Sequence, residues 1–180
     1  MKLIVTVGMP GSGKDELVEV AREMGLATLK MGDLVRDETR RRGLPLTGAN
    51  VARIANEERE KHGGGIWAQR ALPKLTETRM LVDGCRSDAE LSVFRHNFGD
   101  FYVLGIFASP ETRHDRMMQR GRGDDGATLQ DLYDRDRREL KWGIGSAFTL
   151  ADGMLLNEGP LDAFRRAART KIEEILHRDA

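Results

Sequence analysis

The residues best suited to chemistry stand near the N-terminus, where three glycines precede a lysine. Gly8, Gly11 and Gly13 follow an apolar run at residues 3–7, and Lys14 comes directly after them. Closely spaced glycines let several backbone N–H groups point at one spot, and a helix that begins there adds its positive end. The spacing therefore predicts a site for a phosphate anion, with the lysine as its charged partner.

Such a loop binds phosphate when a strand leads into it and a helix leaves it. Residues 3–7 are apolar or β-branched, which is typical of a buried strand. After Lys14, the apolar residues Leu17, Val18 and Ala21 recur at helical spacing. A glycine turn without a ligand is the alternative, and the order of strand, loop and helix favours the phosphate site over it.

Composition limits the class of protein. The chain has 180 residues, with 29 Lys plus Arg and 29 Asp plus Glu, so its formal net charge is zero. A balanced charge argues against nucleic acid or a membrane surface as the main partner. Cys85 is the single cysteine, which excludes an internal disulfide and suits a reducing cytoplasm. No apolar run approaches about 18 residues, so we expect no membrane span and a cytoplasmic location.

Short apolar segments alternate with helical segments along the whole chain. We predict five strands, at residues 2–7, 26–31, 79–83, 101–107 and 153–156. Strands separated by helices form parallel sheets that carry helices on both faces. The predicted fold class is therefore α/β, in one domain that spans residues 1–180.

The glycine loop resembles a known motif. The stretch Gly8-Met9-Pro10-Gly11-Ser12-Gly13-Lys14 is similar to the Walker A loop of P-loop kinases and NTPases. The resemblance implies that these residues and Asp15 bind ATP, and that the sheet has the P-loop kinase order 2-3-1-4-5 in a three-layer fold. Lys14 would hold the β and γ phosphates and act in catalysis.

Asp15 departs from the motif, which has Ser or Thr at this position as a magnesium ligand. A carboxylate can also hold Mg²⁺, directly or through water, although it brings a negative charge near the phosphates. Gly-Lys-Asp also occurs in similar kinases such as phosphomevalonate kinases. Asp83 ends a predicted buried strand and resembles the Walker B aspartate. We therefore expect Asp15 and Asp83 to hold Mg²⁺, directly or through water.

Two further segments resemble the acceptor site of adenylate kinases. GDLVRDE, which contains Asp33 and Arg36, is similar to GDLLR, and DGCR, which ends at Arg86, is similar to DGYPR with one residue fewer. The resemblance implies that Arg36 and Arg86 bind the phosphate of an acceptor nucleotide. Glu90 occupies the place of a glutamine that reads the acceptor base. Each arginine could instead be a solvated residue on a helix surface.

Asp33 and Glu90 also have local interpretations. Asp33 is a predicted N-cap of the helix that follows the second strand. Glu90 stands three residues after Ser87, an arrangement typical of a capping box. If the acceptor is a hydroxyl rather than a phosphate, a carboxylate is needed beside it, and Asp33 is then the candidate base.

Arginines are concentrated after residue 112. The segment RHDRMMQRGRGDD resembles the lid of short-lid nucleoside monophosphate kinases, whose arginines close over the transferring phosphoryl group. The resemblance implies catalytic roles for Arg116, Arg120 and Arg122, within a lid at about residues 113–138. Surface ion pairs along the following helix are the alternative.

The last predicted strand leads to a turn that contains Asn157 and Gly159. This turn is similar to one that approaches the ATP adenine in nucleotide kinases and in dephospho-CoA kinase. By that resemblance, backbone groups near both residues bind ATP, although a plain helix-entry turn also fits the sequence.

The motifs together favour an ATP-dependent, Mg²⁺-using kinase that phosphorylates a nucleotide or another phosphorylated small molecule. The resemblance covers nearly the whole chain and includes a mainly archaeal group related to adenylate and cytidylate kinases. Residues 32–76 would form a mobile acceptor-binding part. One alternative is a transfer to a hydroxyl like that of dephospho-CoA kinase. Another, suggested by Asp15, is a nucleotide-binding ATPase or regulatory switch.

Overall fold

The computed structural model describes residues 1–120 and 128–178, with the backbone alone at Arg120. This part of the chain contains one sheet with the strands β1 Lys2–Val7, β2 Ala27–Lys30, β3 Arg79–Cys85, β4 Asp100–Phe107 and β5 Gly153–Leu156. All strand pairs are parallel, and the spatial order β2-β3-β1-β4-β5 confirms the predicted order 2-3-1-4-5. The strand that leads into the glycine loop therefore lies at the centre of the sheet.

The pairing register fixes what surrounds the end of β1. Val5 lies opposite Val82 of β3 and Val103 of β4. At the far end of the same edge, Lys30 of β2 lies opposite Asp83 of β3. Because parallel strands end at the same edge of a sheet, the glycine loop, Asp83 and Lys30 lie on one side of the molecule.

Helices connect the strands. In the described residues they are α1 Lys14–Glu23, α2 Met31–Arg41, α3 Gly48–His62, α4 Ile66–Ala71, α5 Asp88–Asn97, α6 Pro110–Arg120, α7 Leu129–Trp142, α8 Ile144–Thr149 and α9 Leu161–His177. None of these helices is both long enough and apolar enough to cross a bilayer.

Alternation along β1 divides the core between the two faces of the sheet. Leu3, Val5 and Val7 belong to an apolar cluster that includes residues of α2, α4, α5 and α8. Ile4 belongs to a second cluster, formed with α1 and α9. Successive side chains of a strand point to opposite faces, so an uninterrupted apolar strand needs cover on both sides. Both layers are present, which confirms the predicted three-layer α/β fold.

One helix boundary differs from the sequence prediction. α2 begins at Met31, directly after β2, with Lys30 at the N-cap position, so the prediction that Asp33 caps this helix is wrong. Asp33 lies instead in the first turn, where its charge favours the positive end of the helix. Helix α4 ends at Ala71 and is followed by a 3-10 turn at Leu72–Lys74, because Pro73 has no N–H for a further α-helical bond.

Candidate functional site

The loop between β1 and α1 is shaped by its glycines. Gly11 and Gly13 have φ angles of 80° and 107°, a region that residues with side chains rarely adopt. A Cβ on Gly8 would lie 2.7 Å from the carbonyl oxygen of Ile106, so this position has no room for a side chain. Gly13 is also the N-cap residue of α1, which means that the loop opens directly onto the positive end of this helix.

Lys14 is the first residue of α1, and its side chain folds back over the loop. Its Nζ donates hydrogen bonds to the carbonyl oxygens of Gly8, at 2.6 Å, and Met9, at 3.0 Å. Loss of hydration lowers the pKa of this ammonium, and the neighbouring charge of Arg86 acts in the same direction. Three carboxylates oppose the decrease, those of Asp83, Glu139 and Asp15.

Asn157 ties the loop to α6 and to the end of β4. Its side-chain amide donates to the carbonyl oxygen of Ser12 at 2.9 Å. Arg116 donates to the carbonyl oxygen of Asn157 at 3.0 Å and to its Oδ1 at 3.1 Å, and the Asn157 N–H bonds to Phe107. Both backbone polar groups of Asn157 are therefore bonded within the protein, while Gly159 lines the cleft described below.

A second arginine of α6 also contacts the loop. Arg113 is 3% exposed and pairs with Asp136 of α7 through two hydrogen bonds, of 2.9 and 2.5 Å. Its Nη1 also donates to the carbonyl oxygen of Pro10 at 3.1 Å. Arg113 thereby joins the loop to both helices of the predicted lid. The side chain of Arg120 and the whole of Arg122, both predicted to act in catalysis, lie outside the described residues.

The two predicted metal ligands stand beside Lys14 at the carboxyl edge of the sheet. Asp83 is buried, and its Oδ1 accepts a hydrogen bond from the Thr6 hydroxyl at 2.7 Å. Asp15 pairs with Lys30, whose Nζ lies 2.7 Å from Asp15 Oδ1. Both carboxylates and Lys30 line the same cleft. Asp15, the residue that departs from the Walker A pattern, is thus paired with a cationic side chain of the protein itself.

Asp15 and Asp83 are suited to a magnesium ion that takes most of its ligands from water and substrate phosphates. In residues 1–120 and 128–178, no three His, Cys, Asp or Glu side chains form a group that could hold a metal. Mg²⁺ commonly takes one or two carboxylates and completes its shell with water and substrate phosphates. Asp15 and Asp83 beside a phosphate loop match that donor set. Ser12 adds a buried hydroxyl that has no hydrogen-bond partner in the described part.

The predicted acceptor residues are held by ion pairs. Arg36 pairs with Asp33 of the same helix at 2.9 Å, and both side chains are at least one-third exposed. Arg86 pairs with Glu139 of α7, and its guanidinium lies 5.3 Å from the ring centre of Trp142. Arg86 is thus oriented by an aromatic ring and a carboxylate, whereas the ion-pair partner of Arg36 within residues 1–120 and 128–178 is a neighbour on its own helix.

Glu90 is bonded within the protein. Ser87 caps α5 as predicted, since its hydroxyl accepts the Glu90 N–H at 3.1 Å. The Glu90 carboxylate departs from the capping box, because it accepts the N–H of Arg86 at 2.7 Å and a guanidinium N–H of Arg59 at 3.0 Å. Glu90 is fully buried, and both of its carboxylate oxygens are used in these contacts.

One cleft joins the loop to the arginines. It encloses about 1070 Å³, and Arg36, Arg86 and Arg116 reach its wall from three separate segments. A smaller cavity of about 90 Å³ shares Arg36, Arg86 and Glu139 with the cleft and also contains Trp67 and Trp142 in its wall. A ligand bound by the loop and a second ligand bound by the arginines would therefore lie end to end.

Sequence reasoning missed Lys30 and Glu139. Lys30 ends the strand beside β3, and the rule that ligands bind at the carboxyl edge of parallel sheets is the signal that could have found it. Glu139 offered no local signal, because its partner Arg86 stands 53 positions earlier in the chain.

The sheet order, the glycine loop at its centre and the lysine that follows define a P-loop kinase-like fold. The family model described as AAA domain matches residues 7–132. A gluconokinase from Sinorhizobium meliloti 1021 has a TM-score of 0.61 at 19% identity, over 98% of this chain and 95% of that one. A shikimate kinase from Bacteroides thetaiotaomicron has a TM-score of 0.63 at 14% identity, over 98% and 99%. At these identities the similarity concerns the fold alone.

Within this class, the chain belongs to the UPF0200 family. It is 42% identical to a UPF0200 protein of Thermoplasma acidophilum, over 96% of both chains. It is 44% identical to one of Methanothrix thermoacetophila, over 97% of this chain and 98% of the relative. A UPF0200/UPF0201 protein of Archaeoglobus fulgidus is 43% identical over 98% of this chain and 55% of its own length. The resemblance to P-loop kinases stated from the motifs is confirmed.

Proposed function

We propose that this protein transfers the γ-phosphoryl group of ATP to a nucleotide or another phosphorylated small molecule. The observation that carries the proposal is the single cleft in which the phosphate loop and arginines from three other segments face one another. Phosphoryl transfer requires chiefly that two anionic groups be positioned and their charge neutralised. An anion loop at one end and guanidinium groups at the other supply both requirements.

In this proposal the loop holds the triphosphate. The N–H groups of the loop and the N-terminus of α1 bind phosphate oxygens, and Lys14 exchanges its carbonyl partners in the loop for the β and γ phosphates. Asp15 and Asp83 hold Mg²⁺, which neutralises charge on the phosphates when bound. Asn157 keeps the loop in shape through Ser12, and Gly159 leaves room for the nucleotide at the mouth of the cleft.

At the other end, Arg36 and Arg86 would hold the acceptor. A guanidinium binds two phosphate oxygens at once, and Arg86 is already oriented by Trp142 and Glu139. Asp33 and Glu90 would help to orient these arginines and their neighbours. Arg116, together with Arg120 and Arg122, would stabilise the transferring phosphoryl group. These arginines belong to the lid at about residues 113–138, which would close over the mobile acceptor-binding part at about residues 32–76.

An acceptor panel tests this function. ADP release would be followed in a coupled assay with ATP and Mg²⁺, in the presence of each nucleoside monophosphate or of dephospho-CoA. We expect one acceptor to raise the rate at least tenfold above hydrolysis without acceptor, and Lys14→Ala to abolish the stimulated rate. Lys171→Ala, which alters a lysine paired with Glu174 on α9, is the matched control. Unchanged ATP binding and turnover in Lys14→Ala would contradict the proposal.

A nucleotide-binding switch or slow ATPase is the second candidate, and the Asp15–Lys30 pair is the observation that favours it. A metal that binds Asp15 must compete with Lys30, which would slow the assembly of a catalytic magnesium site. The same panel separates the two functions, since a switch would hydrolyse ATP slowly and no acceptor would accelerate it.

A further inference from the structure

Glu139 is a buried carboxylate with one oxygen in use and one without a partner. Its side chain is 3% exposed, and Oε1 accepts a hydrogen bond from Arg86 Nη1. Oε2 has no hydrogen-bond partner in the described part of the chain. A buried oxygen that accepts nothing costs free energy, so an orphaned carboxylate oxygen in a native fold calls for an explanation.

Arg86, the partner of this carboxylate, is itself positioned by an aromatic ring. Arg86 lies 5.3 Å from the ring centre of Trp142, and Arg59 lies 4.7 Å from the same ring. The Trp142 indole N–H donates to Asn56. These contacts hold Arg86 against Oε1, while Oε2 keeps its lone pairs without a partner in the described part of the chain.

Glu139 also stands where transfer would occur. It lines both the main cleft and the smaller cavity, so it lies at the boundary between the phosphate loop and the arginines. Lys14 lines the same main cleft. The other carboxylates of this region are less suited to receive a ligand: Asp33 is exposed and paired with Arg36, and Glu90 uses both of its oxygens.

We propose that Glu139 Oε2 accepts a hydrogen bond from a hydroxyl group of the acceptor and serves as its general base. The receiving group is then a hydroxyl of a phosphorylated small molecule, while the arginines hold the phosphate which that molecule already carries. A phosphate in the receiving position would bring a second anion against an unpartnered carboxylate oxygen, which is unfavourable, whereas a hydroxyl donates to it. This inference rests on the proposed function and specifies its acceptor.

The step balances without a further reactant. The acceptor oxygen forms a bond to the γ phosphorus, and the bond from that phosphorus to the bridging oxygen breaks, with its electron pair leaving on ADP. The hydroxyl proton passes to Glu139 Oε2 and from there to solvent. Arg86 holds the other oxygen of the same carboxylate throughout, so the base keeps its orientation.

Water can take the place of the acceptor hydroxyl, so this step can be tested through ATP hydrolysis before the acceptor is identified. Slow ATP hydrolysis without acceptor would be measured for the wild type, Glu139→Gln, Glu139→Asp and Glu174→Gln, the last an exposed glutamate paired with Lys171 on α9. General-base catalysis contributes about 10²–10⁴-fold. We expect Glu139→Gln to lose at least about 100-fold, Glu139→Asp to retain part of the rate, and Glu174→Gln to match the wild type.

Glu139→Gln keeps an oxygen that can accept from Arg86, so the variant should fold and bind an ATP analogue with unchanged affinity. Calorimetric titration and a melting curve check both points. Hydrolysis at the wild-type rate in Glu139→Gln, with Lys14→Ala inactive, would overturn the role of Glu139 while the proposed function stands. Activity that survives in Lys14→Ala would overturn the proposed function itself.

The type of bond formed in the product is an independent test of whether the acceptor group is a hydroxyl. For any acceptor that stimulates ADP release, ³¹P NMR distinguishes a phosphate ester of a hydroxyl, which shows no phosphorus–phosphorus coupling, from a phosphoanhydride, which does. We expect the ester, and we expect its formation to fall at least about 100-fold in Glu139→Gln. An anhydride product would refute the hydroxyl acceptor and leave ATP-dependent transfer to a nucleotide phosphate as the function.

Discussion

At one end of the cleft the groups that could bind a ligand are backbone atoms shaped by glycines, whereas at the other end they are side chains held by ion pairs. We call these the loop end, residues 8–15, and the arginine end, formed by Arg36, Arg86 and the residues around the smaller cavity. The loop end is continuous in sequence. The arginine end is assembled from α2, α3, α7 and the segment after β3.

The difference concerns how each end is stabilised. Backbone geometry at the loop end depends on φ angles and on the absence of Cβ atoms, so it tolerates almost no substitution. The arginine end depends on charge pairs, of which those that are buried are costly to break and those that are exposed contribute little. The two ends should therefore respond differently to mutation, to metal and to pH.

The largest effect on ligand binding is expected at the loop end, from Gly13→Ala. Gly13 has φ of 107°, and a Cβ there would lie 2.1 Å from the Asn157 side-chain nitrogen. The substitution breaks the contact between Asn157 and Ser12 and distorts the start of α1, so we expect ATP affinity to fall at least about 100-fold, or about 2.7 kcal/mol. Calorimetric titration with ATP is the measurement.

Gly25→Ala is the matched control for backbone strain. Gly25 has φ of 80°, yet nothing lies within 4 Å of the position of its Cβ. It should cost about 1 kcal/mol of stability through its φ angle alone and leave ATP affinity unchanged. Equal ATP affinities in the two variants would show that the loop does not hold the triphosphate.

The second effect concerns the buried pair that joins the loop to the lid helices. Arg113→Ala leaves Asp136 buried without its partner and frees the carbonyl oxygen of Pro10, so we expect a loss of about 3–5 kcal/mol in unfolding free energy. Urea denaturation measures it. Arg166→Ala, which removes an exposed partner of Asp162, should leave the unfolding free energy nearly unchanged. Similar losses in both would contradict the distinction between buried and exposed pairs.

These two effects also separate what the sequence could predict from what it could not. The loop and the position of Asp83 followed from an apolar strand, three glycines and a carboxylate at a strand end, all of them local patterns, whereas the sheet order followed from the resemblance to P-loop kinases. Arg113 is on a helix that was interpreted as part of a phosphate-closing lid, yet its side chain is buried against Asp136 and Pro10. Nothing in the spacing of arginines along one helix reveals which of them meets a carboxylate on another.

Glu139 and Asp33 show the same limit at the arginine end. The motif that contains Asp33 predicted a helix cap, but β2 passes directly into α2 and moves the cap to Lys30. Glu139 has its partner 53 positions away, so its burial depends on how α7 packs, which a local pattern does not encode. Tertiary contacts between distant charges are therefore the part of the site that the sequence left open.

The third effect concerns the ion pair between Asp15 of the loop end and Lys30 of β2. Lys30→Met keeps the length of the side chain and removes one cation from Asp15. Mg²⁺ no longer competes with that cation, so we expect its affinity, in the presence of a non-hydrolysable ATP analogue, to rise about three- to tenfold. Calorimetric titration with Mg²⁺ measures the change, and Lys171→Met is the control. Unchanged or weaker Mg²⁺ binding would show that Asp15 is not a metal ligand.

The smallest effect is a dependence of stability on pH that originates in α2, the helix that contributes Arg36 to the arginine end. Hydrogen bonds from Arg41, and then from Arg42, lower the pKa of Glu38 from 4.5 to about 2. Because the folded pKa is below the unfolded one, Glu38 stabilises the fold fully above about pH 4.5, and this contribution is lost as the pH falls towards 2. Arg41 is largely exposed, so solvent screening reduces the effect to about 1 kcal/mol.

Glu38→Gln measures that contribution. In urea denaturation at pH 7 the variant should be about 1 kcal/mol less stable than the wild type, and the difference should shrink at pH 3 because the wild type then loses part of the same interaction. Glu19→Gln, in an exposed pair with Arg22, should show less than half of this difference at either pH. A difference for Glu38→Gln that stays constant between pH 7 and pH 3 would mean that packing of the side chain, and not its charge, stabilises α2. In that case packing rather than charge would stabilise the helix that carries Arg36, and the contrast with the loop end would not extend to this helix.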